Sequence, residues 1–342
     1  MRRLTPIEKP QAWYRADHEE ASDWIYEYKP DTLREIDEGL NAYRRRDPSM
    51  TSAATKADFP LQSAAADFVE LGRQIEDGRG FVLLRGLPVE RYDEREIVAI
   101  YRGIGAHFGR EISQNAAGDL VTHVRDTGLE YGAQNVRGYM TRGGQKMHTD
   151  NSDIVALLCY RKARSGGHSS IACSMTVYNE FLARHPQYLD QLYAGFHYDL
   201  RGEERPGMPA ITRHRIPVFS YFESRLSCRY VYMSIVQASR KQGQPLSRME
   251  EETLNLFNEI AARDDVRFDM DLIPGDIQLL NNHSVIHGRT AYEDFDEPER
   301  KRHMIRLWLV PQHARPLEPS FADRYGTGER LGVPPVAEEA AA

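Results

Sequence analysis

The chain has 342 residues, 41% of them hydrophobic, which is enough to bury the core of one large domain. Its formal net charge is -7, and acidic and basic residues are mixed along the chain, so neither nucleic acid nor an anionic membrane is favoured as a partner. The N-terminus lacks the apolar run of a secretory signal, and no segment approaches the ~18 apolar residues of a spanning helix. We therefore expect a cytoplasmic protein whose three widely spaced cysteines are reduced and buried.

The predicted elements start after a polar, proline-broken extension over residues 1–57. A helix over 61–75, an apolar strand over 80–86 and a second helix over 93–108 predict an N-terminal cap. Short β-rich runs bounded by turn residues follow at 120–124, 154–160, 169–173, 218–222, 267–273, 276–280 and 304–310. Two helices are predicted among them, at 176–192 and 248–263. This order predicts one mainly β domain over 58–313, a sandwich or jelly roll with helical insertions, and then a flexible tail over 314–342.

The triplet His148-Thr149-Asp150 stands directly before the apolar strand that starts at Ile154. In extended backbone its first and third side chains share one face, so an imidazole and a carboxylate converge on one point. Two histidines and one carboxylate can hold a divalent metal while leaving open positions for other ligands. The third ligand is sought in the segment after the strand 276–280, where His283 and His287 compete, and their spacing alone does not choose between them.

The strand around residues 302–310 carries Arg302, Met304, Arg306 and Trp308 on one face. Guanidinium groups on an otherwise apolar face need anionic partners, because an unpaired buried charge costs several kcal/mol. A bound dicarboxylate is one such partner, since the guanidinium fork matches a carboxylate. A structural salt bridge to an internal acid is the alternative.

In this order, five motifs resemble the taurine dioxygenase/TfdA-like family of iron(II)- and 2-oxoglutarate-dependent oxygenases, from about Gly80 to Val310. They are the strand 80–86, His148-Thr-Asp150, Gly166-Gly-His-Ser-Ser170, the strand 274–280 with His287-Gly-Arg289, and Arg302-x-x-x-Arg306. The family pattern of an asparagine, an apolar spacer and the distal histidine selects His287, with Asn282 as the asparagine. The resemblance implies a double-stranded β-helix fold with iron(II) bound by His148, Asp150 and His287.

The resemblance also implies a chemistry in which 2-oxoglutarate and O2 bind at the iron and the co-substrate is decarboxylated to succinate and CO2. Ser169 stands where the family has a threonine that contacts 2-oxoglutarate. Arg302 matches the arginine that pairs with its distal carboxylate, and Arg306 matches one that can face an anionic substrate. A longer loop over 290–299 leaves an exchange of these two roles open. Asp150 favours hydroxylation, cleavage or desaturation over halogenation, because halogenating relatives replace that carboxylate.

Gln114 and Asn115, together with His123, lie where family members line the substrate pocket. The predicted function is thus a dioxygenase that acts on a small, anionic organic molecule. A non-catalytic jelly roll that binds a ligand and a zinc hydrolase that uses the same three metal ligands are the alternatives. The identity of the substrate and the formation of a homo-oligomer are left open by the sequence.

Overall fold

The computed structural model of the protein describes residues 2–129, 138–204, 207–326 and 330–335. Its strands are β1 (Ile25–Glu27), β2 (Phe81–Arg85), β3 (Arg110–Glu111), β4 (Val121–Val124), β5 (Gln145–His148), β6 (Ile154–Arg161), β7 (Ser165–Gly166), β8 (Ser169–Cys173), β9 (Phe219–Phe222), β10 (Arg225–Cys228), β11 (Arg267–Met270), β12 (Ile277–Asn281), β13 (Val285–Arg289), β14 (Tyr292–Glu293) and β15 (His303–Val310). Its α-helices are α1 (Pro30–Arg46), α2 (Ala65–Glu76), α3 (Glu94–Gly105), α4 (Ser174–Arg184), α5 (Leu189–Ala194), α6 (Tyr232–Gln242), α7 (Arg248–Ala262) and α8 (Pro319–Ala322).

Two sheets face each other across the main core. The larger has the strand order β1-β2-β12-β6-β15-β3, with β4 also paired to β15, and the smaller has the order β11-β8-β13-β5. All their pairings are antiparallel except that of β1 with β2. This arrangement confirms the predicted jelly roll with helical insertions.

Successive side chains along the strands of the larger sheet point to opposite faces, and each face packs into a different hydrophobic core. On β15, Met304 and Trp308 face the smaller sheet, whereas Ile305 and Leu307 pack beneath the N-terminal helices α1 to α3. The outward residues are as fully buried as the inward ones, because the helical layer covers that face. Because both faces of β15 are buried, its sequence from Met304 onward is apolar except at Arg306.

Most predicted elements are confirmed within a few residues, but several features differ. The helix predicted over 176–192 is two helices, because Pro186 interrupts the pattern between α4 and α5. Helix α1 lies in the N-terminal extension, where Ile36, Leu40 and Tyr43 form a narrow buried stripe among polar residues. Helix α6 and several strands, among them β10 and β13, were not predicted.

Both chain ends lie against the body of the fold over the part that the structure describes. Trp13 is buried, and its indole donates to the carbonyl of Arg79. In the tail, Phe321 is fully buried, and Asn151 exchanges two hydrogen bonds with the backbone of Gly332. The described part of the tail predicted to be flexible is therefore packed, because its apolar side chains complete the core. The division of the chain at residues 57 and 313 stays a prediction.

The three cysteines are buried and unpaired, as predicted. Among the described residues, none of the helices has the length and apolar content needed to cross a bilayer.

Candidate metal and co-substrate site

Three potential metal ligands meet at one end of the space between the sheets. His148 ends β5 and pairs directly with His287 on β13, which brings their ring centroids to 4.5 Å. Asp150 follows two residues after β5, with its carboxylate oxygens 4.0 Å from His148 Nε2 and 3.7 Å from His287 Nε2. Single donor atoms from the three residues all lie within 4.8 Å of one another. The structure thus brings together the three residues predicted as ligands.

Hydrogen bonds orient these side chains. His148 Nδ1 lies 2.9 Å from the Lys146 carbonyl, which makes it the donor and leaves Nε2 as the lone-pair nitrogen that faces the site. Asp150 Oδ2 accepts from Trp308 Nε1 at 2.9 Å and from Arg306 Nη1 at 3.1 Å. Asn282, the family's upstream asparagine, accepts from the backbone N–H of Asp150 and donates to its carbonyl. The turn that carries Asp150 is therefore fixed by a residue at the end of β12.

His283 does not reach the metal site. A turn between β12 and β13 separates it from His287, so the two side chains do not continue one extended face. Its Nε2 lies 2.7 Å from Asp153 Oδ1, and Arg330 contacts the same carboxylate. The buried hydrogen bond to Asp153 accounts for His283, and the geometry agrees with the choice of His287.

The protonation states at the site suit a divalent cation. Burial alone would raise the pKa of Asp150, but Arg306 and the two neighbouring imidazoles outweigh it and hold that pKa at about 2. Burial lowers the pKa of His287 to about 3, with a further decrease caused by His148. Near neutral pH the site therefore offers one carboxylate and two uncharged imidazoles, the forms that bind metals.

The three residues border a cavity of about 370 Å³ between the sheets. Its lining includes the residues predicted to bind co-substrate or substrate, which are Ser169, Arg302, Gln114, Asn115 and Arg306. The cavity joins all of these positions to the metal ligands.

Arg302 is buried at 4% exposure, and its guanidinium lies over the ring of Tyr292 at 5.0 Å. Within the described residues its Nη1 has no hydrogen-bond partner, and no carboxylate pairs with the side chain. Arg289 also lies over this ring, at 4.8 Å, and has two buried nitrogens without partners among the described residues. Because burial lowers the pKa of Arg302, this pocket is one in which an anionic ligand would relieve a desolvated charge.

Gln278 is a neighbour of this pocket that the sequence analysis did not identify. It projects from the centre of β12 and accepts the hydroxyl hydrogen of Ser169 at 2.8 Å. Its side chain is 1% exposed, in a strand that is otherwise apolar. A glutamine in the middle of the run Ile277–Leu280 was the available signal, because a buried amide must have a local partner.

Arg306 differs from Arg302 in having protein partners. Its Nη1 contacts Asp150, and its Nε donates to Gln114 Oε1 at 2.8 Å. Gln114 is in turn fixed by the carbonyls of Leu120 and Arg306. The salt-bridge alternative for this strand thus describes Arg306, whereas no such bridge occurs for Arg302 in the described chain.

Asn115 and His123 have other surroundings than expected. Asn115 borders the cavity, but its amide is engaged by Asp119 within a turn. His123 lies on the opposite face of the sheet, hydrogen-bonded to His303, because β4 pairs with β15 so that its side chain follows that of Ile305. The predicted pocket role of His123 is wrong.

Comparisons with known proteins agree with this geometry. The family model described as taurine catabolism dioxygenase TauD, TfdA family matches residues 45–308. FR-33289 synthase from Streptomyces rubellomurinus is 34% identical over 321 residues, which cover 93% of this chain and 94% of that protein. A taurine hydroxylase-like protein, SAT17, from Stachybotrys chartarum is 27% identical over 309 residues, covering 86% and 77% of the two chains.

Solved structures share the fold. An asparagine oxygenase in complex with Fe(II), hydroxyasparagine and succinate has a TM-score of 0.62 and 17% identity, covering 84% of this chain and 93% of its own. The non-heme iron oxygenase OrfP, in complex with Fe and alpha-ketoglutaric acid, has a TM-score of 0.59 and 13% identity over 83% and 93% of the two chains. The extent of the family match removes the binding-protein and zinc-hydrolase alternatives. The chain belongs to the TauD/TfdA family of dioxygenases, which use iron(II), 2-oxoglutarate and O2 to oxidise small substrates.

Proposed function

We propose that this chain hydroxylates a small anionic molecule at an iron(II) centre held by His148, Asp150 and His287, with decarboxylation of 2-oxoglutarate to succinate and CO2. The observation that carries the proposal is the position of these ligands on the wall of a cavity that also contains a buried, unpaired arginine. A structural metal site has no need of an anion pocket beside it. Desaturation and oxidative cleavage begin from the same site and are distinguished by the product.

The three ligands fit the metal in type and position. Two imidazole nitrogens and one carboxylate suit iron(II), and all three approach from one side. Their separations of 3.7 to 4.0 Å exceed the roughly 3 Å that adjacent ligands at about 2.1 Å from a metal would have. The Asp150 carboxylate and the His148 imidazole would therefore have to move about 1 Å closer together to bind one ion.

Arg302 is the residue that we assign to the distal carboxylate of 2-oxoglutarate, with the Ser169 hydroxyl beside it. The assignment rests on the orphaned Nη1 of Arg302 and on its burial, since a planar guanidinium in a dry pocket binds a carboxylate strongly. Arg306 is less suited, because Asp150 and Gln114 already engage it. The arginine roles implied by the family resemblance are thus retained.

When bound, iron(II) and 2-oxoglutarate would activate O2 for the oxidation of a substrate C–H bond. The residues of the chain keep this chemistry in place. Trp308 and Arg306 hold Oδ2 of Asp150, which lies towards His287, while Oδ1 faces His148. Apolar residues of β6, Val155 and Leu157, line the cavity and limit the access of water.

The charge of the cavity supports an anionic substrate. Among the described residues, five arginines line it, Arg201, Arg289, Arg302, Arg306 and Arg324, against two acids, Asp150 and Glu203. The charges of iron(II) and of 2-oxoglutarate cancel, so the lining keeps an excess of positive charge that favours a further anion. One structural neighbour is named for asparagine and was solved with hydroxyasparagine, and the other, OrfP, was solved with hydroxylated arginine. Free amino acids, alongside sulfonates and other carboxylates, are therefore the first compounds to screen.

The test is anaerobic titration of metal-free protein with iron(II) and then 2-oxoglutarate, followed by the visible charge-transfer absorption of the chelated metal. The wild type should develop the band, and His148→Ala should not. Oxygen consumption with each candidate anion then identifies the substrate class, and mass spectrometry of the product should give a gain of one oxygen atom. A wild-type protein that binds iron without developing the band would refute the co-substrate assignment.

A further inference from the structure

A second group of potential ligands lies on the outer face of the larger sheet, away from the cavity. It consists of Glu94 at the start of α3, His123 on β4 and His303 at the start of β15. His123 Nδ1 is 2.7 Å from His303 Nε2, and the Glu94 carboxylate lies 3.7 Å from each imidazole. Single donor atoms from the three residues lie within 4.8 Å of one another, as do those of the three proposed iron ligands.

The fold itself produces this convergence. In the antiparallel pairing of β4 with β15, His123 lies opposite Ile305, so His303 is its diagonal neighbour on the same face. Glu94 is carried over this face by α3, whose start is fixed by a capping box between Asp93 and Glu96. Two strands and a helix terminus thus present one ligand each.

We propose that Glu94, His123 and His303 form a second divalent metal site, suited to zinc(II) and distinct from the iron centre. Imidazole and carboxylate donors are ordinary zinc ligands, and three of them leave a fourth position for water. The side-chain exposures, 1% for His303, 34% for His123 and 44% for Glu94, describe a site with a buried base that opens to solvent. An ion can therefore enter directly from solution.

Arg161 competes with a metal ion for the imidazole of His303. Its Nη2 lies 3.1 Å from His303 Nδ1 and makes that nitrogen an acceptor, which leaves the proton on Nε2 facing His123. For His303 Nε2 to bind zinc, this proton must leave and Nδ1 must be protonated, so the guanidinium has to move away. Its Nε contact with the Lys301 carbonyl and its place over the Tyr160 ring can hold it during this change.

The test counts zinc ions bound to the full-length protein by equilibrium dialysis and elemental analysis at pH 7.5. The wild type should bind two equivalents. Glu94→Gln and His123→Gln should weaken the second equivalent at least tenfold, whereas His148→Ala should remove the other one. Exposed positions provide the matched controls, His168→Gln and Glu90→Gln, which should retain both ions.

A third variant tests the competition. Arg161→Met removes the donor and the charge, and it should tighten the second equivalent several-fold. One bound ion in the wild type, or two in both His123→Gln and Glu94→Gln, would overturn the proposal, as would weaker zinc binding in Arg161→Met. Because His148→Ala reports separately on the iron centre, failure at one site is distinguishable from failure at the other.

Discussion

Arg306 lies on β15 and Arg302 directly precedes that strand; both face the same cavity, but their surroundings differ. Arg306 has a carboxylate and an amide as partners, whereas Arg302 is covered by Tyr292 and keeps an unpaired nitrogen in the described chain. The strand pattern placed both on one face, which the structure confirms. It could not assign their partners, because those come from distant segments such as Gln114.

Replacing each arginine with glutamine should separate their roles. Arg302→Gln should weaken 2-oxoglutarate binding roughly 100-fold, because a charge-assisted carboxylate contact in a dry pocket is worth about 2–3 kcal/mol. Arg306→Gln should change this affinity much less and impair iron or substrate binding instead, since it touches Asp150. Titration of the charge-transfer band measures both. Equal losses of 2-oxoglutarate affinity in the two variants would contradict the assignment.

At the residue scale, the sequence identified the three candidate ligands that the structure brings together, but not the residues that support them. His148 and Asp150 were identifiable because extended backbone places alternate side chains on one face. The choice between His283 and His287 depended on family resemblance, and the structure shows why spacing failed: a turn intervenes, and Asp153 holds His283. Trp308 as a donor to Asp150 was missed, since its pattern shows only the shared face with Arg306.

At the element scale, the turn between β7 and β8 creates room for Arg302. Gly167 has φ of +73°, and a Cβ built on it would lie 3.1 Å from Arg302 Nε and 3.3 Å from Tyr292 Cβ. The preceding Gly166 would bring its own Cβ to 2.3 Å from a backbone oxygen. The two glycines therefore allow the chain to pass close to the guanidinium and its aromatic support.

Gly167→Ala should lower the affinity for 2-oxoglutarate about five- to tenfold by displacing Arg302, in addition to a backbone cost of about 1 kcal/mol. Gly243→Ala is the matched control, because its φ of +65° is similar and nothing lies within 4 Å of the added Cβ. Urea unfolding should report similar losses of stability in both variants. Unchanged 2-oxoglutarate affinity in Gly167→Ala would show that the turn does not position Arg302.

The strands of the core were easier to predict than some of the helices, because the two kinds of element differ in how much of their surface is buried. Strands such as β6 and β15 are buried on both faces, so their apolar character is continuous and their ends are marked by turns. Helix α1 exposes most of its surface, and its three large buried residues were hidden by the charged ones between them. Pro186 produces the break between α4 and α5, and the prediction of one helix over 176–192 did not take this proline into account.

At the scale of the whole molecule, buried histidines link stability to pH. Burial lowers the pKa of His283 to about 4, although the neighbouring Asp153 acts in the opposite direction. An unfolded chain binds a proton at this residue near pH 6.5, while the folded protein resists it. The stabilising contribution is thus complete above about pH 6.5 and is lost as the pH falls towards 4.

Between pH 7 and pH 5, this residue should remove roughly 2 kcal/mol from the free energy of unfolding. His283→Gln should flatten the pH dependence over that window, even though it lowers stability at pH 7 by disturbing the Asp153 pair. Urea denaturation at several pH values measures the slope, and His168→Gln, at an exposed position, serves as the control. An unchanged slope in His283→Gln would contradict the buried, neutral state of this histidine.

The direct pairing of His148 with His287 has a consequence for biosynthesis. The two histidines come from strands far apart in sequence, and the turn that carries Asp150 is fixed by Asn282 and by side chains of β15. A nascent chain lacks the second half of the site until β13 and β15 have left the ribosome. We therefore expect iron to bind after the jelly roll has closed rather than to nucleate the fold, unlike the zinc ions that drive the folding of small metal-dependent domains.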